Sequence, residues 1–279
     1  MSSQELIVPV EWSRRSLAAL TPANVLSRQT GRSVHIVSII PTESASEERR
    51  TALQGEAERR GIENPTISVL KADLNTVPIG EEEGTLMRVI QASPDAMVCM
   101  ATHARTAIGD ILLGSVASDI LNRSDTPVVL TGPQFSADWQ GPLQTLLVCL
   151  DGSALSEAII APAAALAKTT GASLMLIQVQ SPDVHHTALA QDAAESGYLQ
   201  SKAAEIRRNH GFEVNWDVLH GKDPGKTIAE YVAGYPGAMV AMTTHGHTGF
   251  RKLTVGSVAR DVVHAINCPV YAFRAKDSN

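Results

Sequence analysis

The sequence predicts an α/β protein written twice: two tandem, doubly wound five-stranded parallel sheets, each with helices on both faces. Three observations lead there. Short apolar runs of strand length alternate strictly with longer helical segments, and strands joined by crossover helices run parallel. The second half repeats the first position by position. The 279 residues are also enough for two domains that each bury a core.

Residues 6–10 read as a buried first strand, and a helix follows from Trp12 and Ser13 to Gly31, with Leu17, Leu20 and Leu26 giving it an apolar face. Residues 146–150 and the segment after Asp151 repeat this at an offset of 140: Ser16 matches Ser156, Ala18 Ala158, Pro22 Pro162, Leu26 Leu166, Thr30 Thr170 and Gly31 Gly171. A proline shared in mid-helix marks duplication, because it removes a backbone hydrogen bond and kinks the helix. Second strands follow at 34–40 and 174–179, then a charged helix at 47–60 and a longer counterpart ending at 209, closed by Gly61 and Gly211. Third strands lie at 66–70 and 214–219, where the offset has grown to 149; the nine extra residues fall around 181–197. A longer loop at 73–84 returns most of the difference, so that Leu86 and Ile228 are 142 apart. Further helices, fourth strands at 96–100 and 238–242, and final strands at 127–131 and 269–273 complete the units, with 135–141 as linker. The resulting domains are 1–134 and 142–279. Pro127 and Pro269 open the final strands, whose free hydrogen-bonding edges need cover. The two strands are therefore expected to cover each other or a second chain, giving a compact tandem unit and a homodimer.

Composition narrows the function. An apolar fraction of 44% and a charged fraction of 19% are those of an ordinary folded protein. A net charge of −6, scattered Lys and Arg, and only four Phe and four Tyr argue against a nucleic-acid surface. Met1 leads through a few polar residues into a strand and no apolar run approaches the ~20 residues of a membrane span, so neither a signal peptide nor a membrane partner is expected and the location should be cytoplasmic. Cys99, Cys149 and Cys268 fall in or beside strands, as buried reduced thiols do.

The stretches that carry chemistry follow the fourth strands. In each half an apolar run gives way to a small, polar loop that ends in Gly-Ser-Val, at Gly114-Ser115 and Gly256-Ser257-Val258, and opens a helix. Glycine lets a ligand approach the backbone, and the first free N–H groups of a helix attract anions. The plainer reading is a strand-to-helix turn capped by serine. Ligands in doubly wound sheets bind beyond the carboxyl ends of the strands where the strand order reverses. Asp151-Gly152-Ser153 after one first strand and 243–257 after one fourth strand both fall at such ends. Asp151 suits a ribose contact and a helix cap equally.

A short strand ending in Asp-Gly-Ser, together with G-x-x-G, nine residues and G-[S/T] after the fourth strand, resembles the universal stress protein family, and nearly the whole chain looks like a tandem member. The resemblance implies strand order 3-2-1-4-5 in each Rossmann-like unit, an adenine-nucleotide site at the reversal in ATP-binding members, and pairing through the fifth strands. In the second half Asp151, Gly246, Gly256 and Ser257 match, while Thr243 replaces the leading glycine. In the first half Gly114-Ser115 remains, but Ala101 and Ala104 replace both earlier glycines and Glu11-Trp12 replaces Asp-Gly. ATP is accordingly expected in the second half only, held by Asp151, Gly152, Ser153, Thr243, His245, Gly246, Gly256, Ser257 and Val258. In the first half the indole of Trp12 is expected to fill the adenine space.

Other candidates are weaker. The segment 221–227, Gly-Lys-Asp-Pro-Gly-Lys-Thr, resembles a phosphate loop but has three residues between its glycines where the cradle needs four, and reads as a helix start with Pro224 in the first turn. His185-His186 has no third ligand spaced nearby and reads as a solvated loop, so no metal is expected. His103 and His245 occupy matching places where they either touch a phosphate or cap a loop. Phosphoryl transfer needs a base, a metal-holding carboxylate and a charge-stabilising cation, and only Arg251 and Lys252 answer to any of these. The expectation is a nucleotide-binding regulatory protein, not an enzyme. The alternatives are a structural member acting through its oligomer and a slow ATPase.

Overall fold

Ten strands form one sheet in the order β3-β2-β1-β4-β5-β10-β9-β6-β7-β8. A computed structural model describes residues 4–40, 45–71, 84–102, 115–136, 138–139, 141–180, 188–244 and 255–275. In the first half β1 (Glu5–Pro9), β2 (Ser33–Ile40), β3 (Thr66–Lys71), β4 (Met97–Ala101) and β5 (Val128–Thr131) stand in the order 3-2-1-4-5. The second half repeats it with β6 (Thr145–Cys149), β7 (Ser173–Gln180), β8 (Val214–His220), β9 (Ala238–Thr243) and β10 (Val270–Phe273). All pairings inside a half are parallel. The central strands are apolar on both faces, as strands covered by helices on both sides must be; Leu6, Ile7, Val8, Leu146, Leu147 and Val148 are wholly buried.

Of the two alternatives expected for the final strands, the structure shows the first: β5 and β10 cover each other and join the two sheets, pairing antiparallel with Val270 opposite Leu130, Tyr271 opposite Val129 and Ala272 opposite Val128. The free edge of each fifth strand is thereby satisfied inside the chain, and this edge calls for no second chain. The buried apolar residues of both halves form one continuous cluster. Around the seam, the Trp139 indole N–H donates to the Ala238 carbonyl at 2.7 Å, and Gln29 bonds to the Leu143 N–H, the Leu143 carbonyl and the Thr170 carbonyl at 2.7, 3.2 and 2.9 Å. Gly132 passes so close to the second half that an added Cβ would lie 1.8 Å from the Val263 carbonyl oxygen. Ser136 and Trp139 of the 135–141 stretch are thus held to the second half, the Ser136 N–H donating to the Asn267 carbonyl at 2.9 Å.

The helices are α1 (Leu20–Thr30), α2 (Ser46–Arg59), α3 (Thr85–Gln91), α4 (Ser115–Arg123), α5 (Ala154–Glu157), α6 (Ile160–Thr170), α7 (Ala188–His210), α8 (Pro224–Val232) and α9 (Ser257–Ala265). A 3₁₀ turn, Ser16–Ala19, precedes α1. The shared proline does not kink a long helix as expected. The segment after each first strand is two short pieces, and Pro22 and Pro162 sit in the first turn of the second piece, where the missing N–H has no carbonyl to lose. The nine-residue insertion appears as helix length, 23 residues in α7 against 14 in α2. Right-handed crossovers put α1, α2, α6 and α7 on one face of the sheet and α3, α4, α8 and α9 on the other. No helix among the described residues is long and apolar enough to cross a membrane.

Candidate functional site

β6 and β9 are neighbours, and from this pair the chain winds outward in opposite directions to β7-β8 and to β10. A crevice opens at the carboxyl ends of the two strands, as topology requires. There the structure has a cavity of about 240 Å³ on the α8/α9 face. Its floor is apolar, formed by Ile177 and Val179 from β7, Ile228 from α8 and Met242 from β9. Its rim is polar: Asp151 after β6, Thr243 ending β9, then Gly256, Ser257 and Val258 at the start of α9.

Each rim residue is held by local backbone chemistry. The turn after β6 is tied by Ser156, whose hydroxyl accepts from the Asp151 N–H at 3.2 Å and donates to the Ser153 carbonyl at 2.9 Å. Ser153 caps α5 by accepting from the Ser156 N–H at 3.1 Å, and its own N–H and hydroxyl donate to the Asp151 carboxylate at 2.9 and 2.6 Å. Gly152 takes the left-handed conformation, φ +83°, that glycine adopts without strain. On the other side, the Gly256 N–H donates to the Thr244 carbonyl at 2.7 Å, and Gly256 stands at the N-cap of α9 without a side-chain cap. Gly256, having no side chain, gives the first N–H groups of that nine-residue helix no cap of its own, and Val258 is 38% exposed beside them.

Of the nine predicted binding residues, the structure brings five to the cavity wall: Asp151, Thr243, Gly256, Ser257 and Val258. Gly152 and Ser153 shape the turn that presents Asp151 and do not line the cavity. His245 and Gly246 lie outside the described residues, as do His103, Ala104, Gly114, His185, His186, Arg251 and Lys252. The apolar floor was missed. Its one sequence signal was Pro224, which lines the cavity from the first turn of α8. The segment around it is a helix start: Asp223 caps α8 by accepting from the Lys226 N–H at 3.1 Å, and the Thr227 hydroxyl donates to the Asp223 carbonyl at 2.8 Å. That closed arrangement leaves no phosphate ring.

Cys149 also lines the cavity, and burial, with a contribution from nearby Cys268, pushes its thiol up to about 12. At neutral pH it is a small apolar wall group, not a thiolate nucleophile. All three cysteines are free. No group of three or more metal-ligating side chains occurs among the described residues.

The first half uses the same scaffold. Ser16 accepts from the Glu11 N–H at 3.3 Å and donates to the Ser13 carbonyl at 2.9 Å, as Ser156 does in the second half. Trp12 stands where Gly152 stands and shares its left-handed backbone, φ +65°. The indole does not fill the adenine space as expected. The Arg49 guanidinium, from α2 on the opposite face, lies 5.4 Å from the ring centroid, and the indole is 39% exposed. A left-handed residue at this turn directs its Cβ toward that face; a Cβ added to Gly152 would likewise come 3.6 Å from Gln178 and not enter the cavity.

Comparison with known proteins fits this geometry. A family model described as the universal stress protein family matches residues 3–132 and again 142–274. The chain belongs to the universal stress protein family. It is a tandem, two-domain universal stress protein. A universal stress protein of Mycobacterium tuberculosis is 26% identical over 194 residues, which cover 67% of this chain and 64% of that relative's length. One from Synechocystis is 26% identical over 147 residues, 45% of this chain and 94% of its own. Among solved structures, a universal stress protein from Archaeoglobus fulgidus superposes with a TM-score of 0.64 at 19% identity, covering 98% of this chain and 99% of that one. The cytoplasmic domain of a prokaryotic cation chloride cotransporter superposes with a TM-score of 0.55 at 13% identity, covering 100% and 98%. These likenesses establish the fold of this universal stress protein and leave its ligand to be argued from the site.

Proposed function

We propose that this tandem universal stress protein is a stress-response regulator that binds an adenine nucleotide, ATP, in the second half only. The observation that carries the proposal is the divided lining of the cavity at the β6/β9 reversal. An apolar floor suits the face of a purine, a carboxylate at Asp151 suits ribose hydroxyls, and the uncapped start of α9 suits phosphate. At about 240 Å³ the cavity is smaller than the ~300–1,000 Å³ of drug-sized pockets. It takes the base, with the phosphates at its mouth beside Ser257 and Val258. Nothing among the described residues supplies a base positioned over those phosphates, so the role proposed is holding the nucleotide, not hydrolysing it. A cytoplasmic location and self-association as a homodimer belong to the same proposal. With the fifth strands already paired internally, two chains would meet through another surface.

Calorimetry with ATP on the full chain tests the reading. One site per chain is expected, lost in Val179→Trp, which fills the apolar floor, and retained in Gly114→Val. Turnover should fall far below the ~1–100 s⁻¹ of committed kinases. Two equivalent sites, or loss with Gly114→Val alone, would overturn the assignment to the second half.

A further inference from the structure

A second cavity, of about 500 Å³, lies in the first half on the α1/α2 face, at the carboxyl ends of β4 and β5. Three arginines, Arg14, Arg15 and Arg60, line it together with Thr21, Thr102 and Thr131. Arg60 is fixed: its guanidinium donates to the Thr21 hydroxyl at 2.8 Å and pairs with Glu56 at 2.8 Å, while its carbonyl accepts from Asn24 at 2.6 Å. Arg14 and Arg15 are exposed, and neither has an acidic partner among the described residues. Two adjacent unpaired guanidiniums beside a third form a local excess of positive charge in a chain whose net charge is −6.

The second observation is Thr131. It is 1% exposed, and its hydroxyl has no hydrogen-bond partner. A buried hydroxyl left unpaired is destabilising and uncommon in folded proteins, and calls for an explanation. Here the hydroxyl belongs to a residue of the arginine-lined wall, where a bound acceptor would satisfy it. The other half supplies a control. At the equivalent places stand Ala154 for Arg14, Leu155 for Arg15, Ala161 for Thr21 and Phe273 for Thr131. The duplicated backbone therefore folds without any of these polar groups, so the fold itself does not require them.

We propose that the first half binds a small molecule bearing a phosphate or diphosphate group in this cavity, independently of the nucleotide site on the opposite face. Arg14 and Arg15 would supply charge-assisted hydrogen bonds to the phosphate oxygens, Thr131 would donate one more, and Ala18, Pro133 and Phe135 would cover the organic part. The volume falls within the ~300–1,000 Å³ of small-molecule sites. Unlike the second-half cavity, this one has no carboxylate among the described residues that line it and presents cations in its place.

The test is titration of the full chain with inorganic pyrophosphate at low ionic strength, with ATP titrated in parallel. Binding of pyrophosphate is expected, weakened by about tenfold or more in Arg14→Ala/Arg15→Ala and by several-fold in Thr131→Val, with ATP affinity unchanged in both. The two arginines are exposed and Thr131→Val keeps side-chain shape, so the variants should fold. Their thermal melts, with Thr131→Val at least as stable as the parent, check this. Val179→Trp should abolish ATP binding and leave the pyrophosphate response to the arginine and threonine variants intact, which separates failure of this site from failure of the nucleotide site. No pyrophosphate binding, or binding that neither the arginine pair nor Thr131 affects, would overturn the proposal.

Discussion

The two halves share a backbone and differ in where that backbone is furnished for a ligand. Both turn after the first strand on a serine that ties the loop, and both place a left-handed residue there, Gly152 in one and Trp12 in the other. Both also end the fourth strand on a buried hydroxyl that follows the same ladder, the Thr102 N–H donating to the Thr131 carbonyl and the Thr244 N–H to the Phe273 carbonyl, each at 3.0 Å. Yet the second half opens a partly apolar cavity on the α8/α9 face, and the first opens an arginine-lined one on the α1/α2 face. Main-chain hydrogen bonds, which depend little on side-chain identity, keep the two units superposable. Side chains around the strand ends are free to diverge because they line cavities and loops and not the packed centre of the sheet.

The largest effects should come from breaking the seam that makes the two halves one sheet. Trp139 is 7% exposed and its indole N–H is bonded across to Ala238. Trp139→Ala should cost about 3–5 kcal/mol by denaturant unfolding, through the lost apolar burial and the orphaned carbonyl. Two separated unfolding transitions in this variant would show that the halves are independently stable once unlatched. Gly132→Ala comes next. Its added methyl would meet the Val263 carbonyl oxygen, a backbone atom with no rotamer to escape by, and should cost about 1–3 kcal/mol through overpacking. The same change at Gly141, where nothing lies within 4 Å of the added atom, should be nearly silent. Equal effects at the two glycines would contradict the close approach.

How much of this was written in the sequence depends on the range of the interaction. Strand and helix alternation and the duplication follow from periodicity and from matched residues such as Ser16 and Ser156, because these are local or repeated signals; the order of strands within a half came only from the resemblance to the universal stress protein family. The β5/β10 pairing was half legible: Pro127 and Pro269 showed edges in need of cover, but the choice between the sister strand and a second chain depends on a linker whose packing, through Phe135 and Trp139, no period reveals. The polar rim of the second-half cavity was legible because Asp151, Gly256 and Ser257 sit at strand and helix ends. Its floor was not, since Ile177, Val179, Ile228 and Met242 have the same pattern as any core residue. The arginine-lined cavity was equally hidden, drawing on four separate stretches of chain. Trp12 was misjudged because its direction is set by a backbone conformation that glycine usually takes and tryptophan rarely does.

That conformation gives a smaller, sharper comparison. Gly152→Ala puts a Cβ into the left-handed region and should cost roughly 1 kcal/mol, while leaving ATP affinity nearly unchanged because the Cβ points away from the cavity. Trp12→Gly relieves the same strain but loses the Arg49 contact and adds freedom to the unfolded chain, terms of roughly 0.5–1 kcal/mol each that oppose the relief. Its net effect on the urea midpoint should therefore be close to zero. A large loss of stability in Trp12→Gly would mean that the indole is packed more tightly than its exposure indicates.

The smallest effects separate the halves by pH. In the first half Glu56 is held below the usual carboxylate range: burial pushes it up, but hydrogen bonds from Arg59 and Arg60 outweigh the burial. A group whose folded value is lowered contributes stability that is present above its unfolded value, near 4.3, and lost as pH falls through the folded value. In the second half Lys202 is held above its usual range by its hydrogen bond to Glu157, with Glu205 adding to it against a cost of burial. A raised cation contributes stability that is fully present below its unfolded value, near 10.4, and lost as pH rises through the folded value. Each pair is partly exposed, so each contribution should stay below about 1 kcal/mol. The urea midpoint of Glu56→Gln should thus differ from the parent at neutral pH and converge with it in acid. That of Lys202→Met should differ at neutral pH and converge in strong alkali, where the ammonium is lost. A Glu56→Gln difference that persisted in acid, or a Lys202→Met difference that persisted in strong alkali, would mean that the ion pair assigned to that half is not the one that titrates.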